Sequence, residues 1–174
     1  MKRKRPNKDR YYLEIADSIA KRATCLRMQT GAVIVNNDQI ISSGYVGAPR
    51  GVPNCCDLEE CYRNKKKIPH GHHYEKCRSV HAEANAIIHA PRELMIGSTL
   101  YMVGRNLRVK GDPIVPIFPC MMCKRFVINA GIKRVVTMNA EGKIFEKDVK
   151  EWIEEAKEHP YKEIEEPDYN WELE

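Results

Sequence analysis

Apolar residues recur with two different periods along the chain, and each change of period marks a predicted element. In residues 9–25 they recur at helical spacing with charges between them, which predicts an amphipathic helix. Two β-branched runs follow, at residues 31–35 and 39–45, separated by the polar residues 36–38. A polar break between two strand-like runs is typical of an antiparallel hairpin.

The later part of the chain alternates helical and strand-like patterns. The predicted order is helix, strand, helix, strand, helix, at residues 79–90, 98–103, 120–130, 132–138 and 146–158. Pro91 ends the first of these helices, and Gly131 suits the C-terminal cap of the second. A hairpin followed by alternating helices and strands predicts a mixed sheet flanked by helices.

Two segments have no clean period. Residues 47–73 are rich in Gly, Pro, Cys and His, and we expect a loop with one short helix there. A long irregular segment inside a compact domain needs something to hold it, and a bound metal would do so. Residues 104–118 form an excursion before Pro119, with a turn at residues 110–113. This excursion could form a lid, an oligomer contact or a surface hairpin, and the sequence does not decide between these three roles.

Length and composition favour a single domain over residues 1–174, because 174 residues can bury a core and no boundary or repeat interrupts them. We expect a basic, flexible N-terminus over residues 1–8 and an acidic tail over residues 160–174. No apolar run approaches the roughly 18–20 residues that a membrane helix needs, so no membrane partner is expected. The N-terminus lacks the apolar core of a secretory signal, which favours the cytoplasm.

The net charge of +5 and the aromatic content bear on whether the chain binds a small anionic substrate or a nucleic acid. A mildly basic body suits a small anionic substrate. Aromatic residues make up only 7% of the chain, and no basic run is interleaved with aromatics. We therefore expect no nucleic-acid partner.

The strongest chemical pattern is His81-Ala82-Glu83, followed after a predicted strand by Pro119 and the pair Cys120 and Cys123. The two cysteines are three positions apart at a predicted helix start, so their thiols project from one face. With His81 they supply one nitrogen and two thiolates, and a tetrahedral zinc keeps its fourth position for water. Glu83 is placed to take a proton from that water without binding the metal.

Each half of this pattern has an ordinary explanation on its own. A Cys-x-x-Cys pair is often half of a structural zinc site or a redox pair, and a histidine at a helix start is usually a hydrogen-bonded residue. The combination of His-x-Glu, a strand and Pro-Cys-x-x-Cys is much more specific, and it is the signature of zinc-dependent nucleobase deaminases.

Three further segments, at residues 22–35, 40–51 and 128–136, extend this similarity over about residues 11–138. The chain resembles the cytidine and deoxycytidylate deaminase family, and within it the deoxycytidylate (dCMP) deaminases. The resemblance implies an α/β fold, a three-layer α/β/α sandwich with a central mixed five-stranded sheet. It implies hydrolysis of dCMP to dUMP and ammonia in pyrimidine deoxynucleotide metabolism, with a catalytic Zn²⁺. It also implies a homo-oligomer, with a hexamer favoured, and dCTP and dTTP as effectors, with Mg²⁺ accompanying the nucleotide.

The resemblance also implies substrate contacts. The backbone of Ala82 would face the base carbonyl, and Glu83 would lie beside the ring nitrogen. Arg27 and Gln29 would approach the 5′-phosphate, for which an arginine is a natural bidentate partner. An ordinary solvated charge is the alternative for Arg27.

The resemblance also places Tyr45 and Val46 at substrate-binding positions, and Val46 departs from the family pattern. The family usually has Gly-Tyr-Asn-Gly where this chain has Gly-Tyr-Val-Gly at residues 44–47. The asparagine normally bonds the nucleoside, and losing that bond would cost about 0.5–1.5 kcal/mol. Another cytosine nucleotide, a nucleoside, a free base or an RNA-borne base is therefore the alternative substrate. A non-catalytic, zinc-stabilised nucleotide-binding protein is the alternative from another class.

A second metal site is expected because the remaining cysteines cluster with histidines. The cluster contains Cys25, Cys55, Cys56, Cys61, Cys77, His70, His72 and His73. Some deoxycytidylate deaminases hold a structural zinc, and the resemblance matches Cys25 and Cys55 to two of its ligands. Thiolates are the better zinc ligands, so Cys61 and Cys77 complete the expected set, with His73 in reserve and Cys56 as a spare buried thiol. Free cysteines in a polar loop are the alternative.

Overall fold

Six strands form one mixed sheet in the computed structural model, which describes residues 5–69 and 71–160. The strands are β1 (Met28–Asn36), β2 (Gln39–Tyr45), β3 (Thr99–Asn106), β4 (Ile114–Val115), β5 (Arg134–Met138) and β6 (Ile144–Asp148). The helices are α1 (Lys8–Ala20), α2 (Tyr62–Lys65), α3 (Ala82–Ile88), α4 (Arg92–Met95), α5 (Met121–Ala130) and α6 (Val149–Glu158). One turn of 3-10 helix lies at Tyr74–Lys76.

The strands lie in the order β2-β1-β3-β5-β6, and the pairing is mixed. β3 and β5 are parallel, whereas β1 pairs antiparallel with both β2 and β3, and β5 pairs antiparallel with β6. The two-residue β4 pairs with the far end of β3, at Gly104 and Arg105. The main path therefore has the expected five strands, and β4 adds a short sixth.

Side chains of β1 alternate between two separate cores. Ala32 and Ile34 pack with residues of α3, α5 and α6, while Val33 and Val35 pack with residues of α1. This alternation follows from the two-residue period of a strand buried on both faces. Helices therefore cover both faces of the sheet, and the predicted three-layer α/β/α sandwich is confirmed.

The largest error in the predicted elements concerns residues 146–158, which were expected to be one helix. The structure divides them between β6 and α6, and Asp148 marks the boundary because its side chain accepts a hydrogen bond from the backbone of Lys150. Glu146 and Lys147 instead pair with β5, which gives an edge strand its backbone partners. The predicted first helix also ends earlier, at Ala20, so that Cys25 lies beyond it.

Both irregular segments contain some regular structure. α2 is the short helix expected within residues 47–73. Residues 104–118 form a hairpin, because β3 continues to Asn106 and the chain returns through β4. His70, residues 1–4 and residues 161–174 lie outside the described residues, and with them half of the expected basic N-terminus and all but one residue of the expected acidic tail. Within the described part of the chain, no helix is long and apolar enough to cross a membrane.

Candidate active site

The N-termini of α3 and α5 bring the zinc-motif residues together. His81 is the N-cap of α3 and Cys120 is the N-cap of α5, while Glu83 and Cys123 lie in the first turns. His81 Nδ1 lies 3.5 Å from the Sγ atom of Cys120 and 3.5 Å from that of Cys123. Glu83 Oε1 lies 3.8 Å from the same nitrogen. One ligand atom from each residue thus lies within 4.8 Å of the others.

Three of these four residues are buried, and His81 is partly buried. Cys123 is fully buried, and Glu83 is only 3% exposed. A backbone bridge between Gly47 and Val80 fixes the chain just before His81. The N-termini of α3 and α5 and the bridge before His81 therefore position the backbone from which these four side chains project.

A second layer of contacts orients the ring of His81. Tyr74 meets this ring edge-on, with centroids 5.0 Å apart and planes at 86°. The buried guanidinium of Arg63 lies 4.7 Å from the centroid of Tyr74. Arg63 also donates to the carbonyl groups of His73, at 2.6 Å, and Pro69, at 2.8 Å. The irregular segment before α3 is thereby tied to the active-site histidine.

Electrostatics within the group favour a bound cation. The hydrogen bond with Cys123 lowers the pKa of Cys120, although burial opposes this, and the same contact raises the pKa of Cys123. Burial would raise the pKa of Glu83, but the hydrogen bond with His81 and the charge of His81, together with hydrogen bonds from the backbone of Glu83 and from Cys123, outweigh burial, so the pKa is lowered. One imidazole and two thiols are the donor set that zinc prefers, and a cation would replace the proton that the thiols share. The residues therefore fit a zinc ion.

A cavity of about 760 Å³ opens from these residues along the ends of β1 and β3. Its volume lies within the range of about 300–1,000 Å³ that is usual for small-molecule sites. The returning arm of the 104–118 hairpin, residues 115–118, forms part of its wall. This hairpin is therefore a component of the cavity.

The expected substrate-binding residues divide into two groups. Arg27, Val46 and Ala82 line the cavity together with Glu83. Gln29 and Tyr45 are not among the lining residues. Side chains alternate along β1, and since Met28 and Thr30 face the cavity, Gln29 lies on the opposite face of the sheet.

The four cysteines expected to bind a second metal lie along the same cavity: Cys25, Cys55, Cys61 and Cys77. Burial raises the pKa of Cys55, and the charges of the other three thiols contribute to the rise. The reserve ligand His73 points elsewhere, since its side chain is 57% exposed and lies 3.0 Å from Glu75. The expectation that Cys56 is buried is wrong. This thiol is exposed and donates to Asp57, because the preceding Cys55 takes the inward position.

Several cavity residues escaped the sequence analysis, notably Asn106, Arg108, Arg63 and Tyr74. None belongs to a short motif, and a single arginine or asparagine carries little information by itself. Asn106 reaches the cavity because it pairs with Met28 across the β1–β3 ladder. Only that long-range pairing marks it as a site residue.

Comparisons with known proteins agree with this geometry. The family model for the cytidine and deoxycytidylate deaminase zinc-binding region matches residues 6–139. The deoxycytidylate deaminase of Mycobacterium phage D29 is 35% identical over 136 residues, which cover 76% of this chain and 94% of that protein. The deoxycytidylate deaminase of Schizosaccharomyces pombe is also 35% identical, over 132 residues, but this chain spans only 37% of its length.

A solved structure shares the fold of this chain. The dCMP deaminase of cyanophage S-TIM5, in complex with dCMP and dUMP, matches with a TM-score of 0.53 and 25% identity. The match covers 79% of this chain and 85% of that one. With the family model, the relatives and the buried His-Glu-Cys-Cys group in agreement, the chain belongs to the cytidine and deoxycytidylate deaminase family.

Proposed function

We propose that the chain is a zinc-dependent deaminase that hydrolyses dCMP to dUMP and ammonia. The observation that carries the proposal is the convergence of His81, Glu83, Cys120 and Cys123 at the buried end of a nucleotide-sized cavity. The choice of dCMP is supported by the relatives named deoxycytidylate deaminase and by the solved dCMP deaminase that holds dCMP and dUMP.

In this proposal His81, Cys120 and Cys123 hold the zinc, which would supply Lewis-acid activation of the attacking water. Glu83 takes one proton from the attacking water while the water oxygen bonds to C4 of the base, and it delivers this proton to the ring nitrogen N3. Glu83 then moves the second proton of the water from the new C4 hydroxyl group to the amino group. The C4–N bond breaks, ammonia leaves and the C4 carbonyl group forms. Its burial suits this role, because few solvent molecules can exchange protons with it. The backbone of Ala82 faces the base carbonyl and sets the orientation of the ring.

Replacing Glu83 tests the proposed chemistry. Glu83→Gln keeps the shape of the side chain but removes its basicity, so dCMP turnover should fall about 100- to 10,000-fold. Ammonia release measures turnover, and metal analysis should find zinc still bound. Glu14→Gln is the control, because Glu14 is an exposed residue of α1 that pairs with Arg10. Turnover by Glu83→Gln within tenfold of the wild type would contradict the role of Glu83.

Val46 is the specific observation that favours a second substrate. Its buried, apolar side chain lines the cavity at the position where the family usually has an asparagine. Another cytosine nucleotide, a nucleoside or a free base is therefore the alternative substrate for the same chemistry. The wild type should be assayed with dCMP, dCTP, deoxycytidine, cytosine and guanine. No ammonia release from dCMP would exclude the first proposal, whatever the result with the others.

We further propose a structural zinc bound by Cys25, Cys55, Cys61 and Cys77. All four thiols line one cavity, and three of them act electrostatically on the fourth. A zinc ion would join the segment after α1 to the loops on either side of α2. Such a joint would hold the long irregular segment that the local sequence cannot order by itself.

Metal analysis distinguishes one zinc from two. The wild type should contain two zinc ions per chain, and Cys77→Ser should contain one and unfold at a lower temperature. Cys56→Ser is a matched control from the same loop, because the Cys56 thiol is exposed and bonds Asp57. It should keep both ions. One zinc per wild-type chain would contradict the proposal.

The remaining proposals are a homo-oligomer, with a hexamer favoured, control by dCTP and dTTP with Mg²⁺, and a cytoplasmic location. The first two rest on the family resemblance alone.

A further inference from the structure

Asn106 ends β3 with an amide group that the protein satisfies only in part. Its Oδ1 accepts a hydrogen bond from the backbone N of Arg108, at 3.1 Å, and another from Arg108 Nε, at 3.4 Å. Both partners are donors, so the amide atom that faces them is the oxygen. The Nδ2 atom is buried and has no partner among the described residues. Because a buried donor without a partner destabilises the fold, a ligand oxygen is the expected partner.

The position of Asn106 along the sheet indicates which part of a nucleotide it meets. Thr30 of β1 pairs with Gly104, and its carbonyl accepts from the backbone of Val46, one residue before the bridge that fixes His81. Asn106 lies two residues farther along β3, which is about 7 Å. With the base at Glu83, this is the part of the cavity that the sugar and phosphate reach.

The charge at this end of the cavity suits an anion. Arg27 and Arg108 both line it, and the carbonyl of Arg27 accepts a hydrogen bond from Leu107, which holds the two arginines' segments together. Among the described residues that line the cavity, Glu83 is the only carboxylate, and it lies at the zinc end. Two guanidinium groups and a free amide donor form the chemistry that binds a phosphate monoester.

We propose that Asn106 and Arg108 contact the 5′-phosphate of the substrate and select nucleotides over nucleosides. Asn106 Nδ2 donates to a phosphate oxygen, while its Oδ1 orients the guanidinium of Arg108 toward the same group. This inference rests on the proposed function for the position of the base. It gives the cavity an amide contact at its far end, whereas Val46 supplies none near the bridge.

Ligand binding by the zinc-loaded chain tests this inference. Calorimetry should compare dUMP with deoxyuridine, which differ only in the phosphate. Asn106→Asp keeps the oxygen that holds Arg108 but replaces the donor with an acceptor, so dUMP should bind at least about tenfold more weakly. Binding of deoxyuridine should change less than about threefold. Arg108→Met should show the same selective loss, and it cannot disrupt the core because Arg108 is exposed.

Asn36→Asp is the matched control, since the amide of Asn36 donates to the carbonyl groups of Leu94 and Ile96 outside the cavity. It should lower stability without changing the preference for dUMP. Unchanged binding of dUMP by Asn106→Asp or Arg108→Met would overturn the proposal, and so would an equal loss for both ligands. Turnover of dCMP by the wild type is scored separately. If the wild type does not turn over dCMP but the variants still bind dUMP selectively more weakly, the phosphate contact is supported and only the proposed reaction is rejected.

Discussion

Burial makes the side chains around Glu83 depend on one another. A carboxylate that is 3% exposed would be costly alone, because an isolated charge loses its hydration. His81 lies 3.8 Å away, and the first turn of α3 offers the positive end of a helix dipole. The hydrogen bond and the charge of His81, together with hydrogen bonds from the backbone of Glu83 and from Cys123, keep the pKa of Glu83 low despite its burial. A His-x-Glu spacing at a helix start is therefore a pattern that the local sequence can specify by itself.

The cavity has no amide side chain at position 46, where the family usually has an asparagine, but it has one at Asn106 on another strand. The backbone of Val46 is occupied, since its N–H donates to Thr30 and its carbonyl accepts from Thr24. Its side chain adds only an apolar contact to the cavity wall. Asn106 contributes an amide to the same cavity from another strand. Asn106 reaches the cavity because of its place in β3, although it belongs to no short sequence motif.

At the scale of elements, glycines let two helices approach the sheet closely. A Cβ atom at Gly44 would collide with the backbone of α3, at Ala82 O and Ala86 N. A Cβ atom at Gly31 would collide with the backbone of α1, at Ala16 O and, at 2.5 Å, Ala20 N. Helix backbone cannot move aside as a flexible side chain can, so each glycine sets the distance of one helix from the sheet.

Gly44→Ala and Gly31→Ala should therefore both destabilise the fold, but only Gly44→Ala should also lower the activity. Each should lower the free energy of unfolding by about 1–3 kcal/mol, the usual cost of overpacking. Gly44→Ala should also lower kcat/KM, because α3 carries His81 and Glu83 at its start. Gly31→Ala is the matched control, since α1 lies on the opposite face of the sheet. Denaturant titration and dCMP kinetics on the folded fraction measure the two effects. Unchanged kcat/KM in Gly44→Ala would contradict this account.

At the scale of the whole molecule, Asp9 joins α1 to the middle of the sheet. Its carboxylate lies 2.7 Å from Arg134 of β5 and accepts from the hydroxyl of Tyr101 of β3 at 2.8 Å. The hydrogen bond with Arg134 lowers the pKa of Asp9, although partial burial opposes it. One side chain thus connects three elements that are distant in sequence.

The lowered pKa of Asp9 predicts part of the acid sensitivity of the fold. A carboxyl group whose pKa is lower in the folded state stabilises fully above its unfolded pKa, near 3.8, and this stabilisation is lost as pH falls through the folded value. Asp9→Asn should therefore be less stable than the wild type at pH 7, and the difference should shrink below pH 4 or so. Denaturant titrations at several pH values measure this. Stability curves that stay parallel down to pH 3 or so would contradict it.

Most of the fold follows from patterns that act over a few residues. The α1 stripe, the β1–β2 hairpin and the N-terminus of α5 were all predictable, because helical and strand periods are local properties. α3 begins three residues later than predicted, at Ala82, because Val80 pairs with Gly47. Residues 146–148 were mispredicted as helix, since their charged side chains suit an exposed helix as well as an edge strand. Pairing with β5 decides between the two, and no local signal reports that pairing.

The sequence alone was therefore sufficient for the family, the sandwich fold and the zinc-type chemistry, because His81, Glu83, Cys120 and Cys123 belong to short motifs at helix starts. Only the tertiary structure decided how the cavity extends from them. Asn106 reaches it through its pairing with Met28 in the β1–β3 ladder. Pairing between distant strands depends on the packing of both sheet faces, and that packing cannot be inferred from either segment alone.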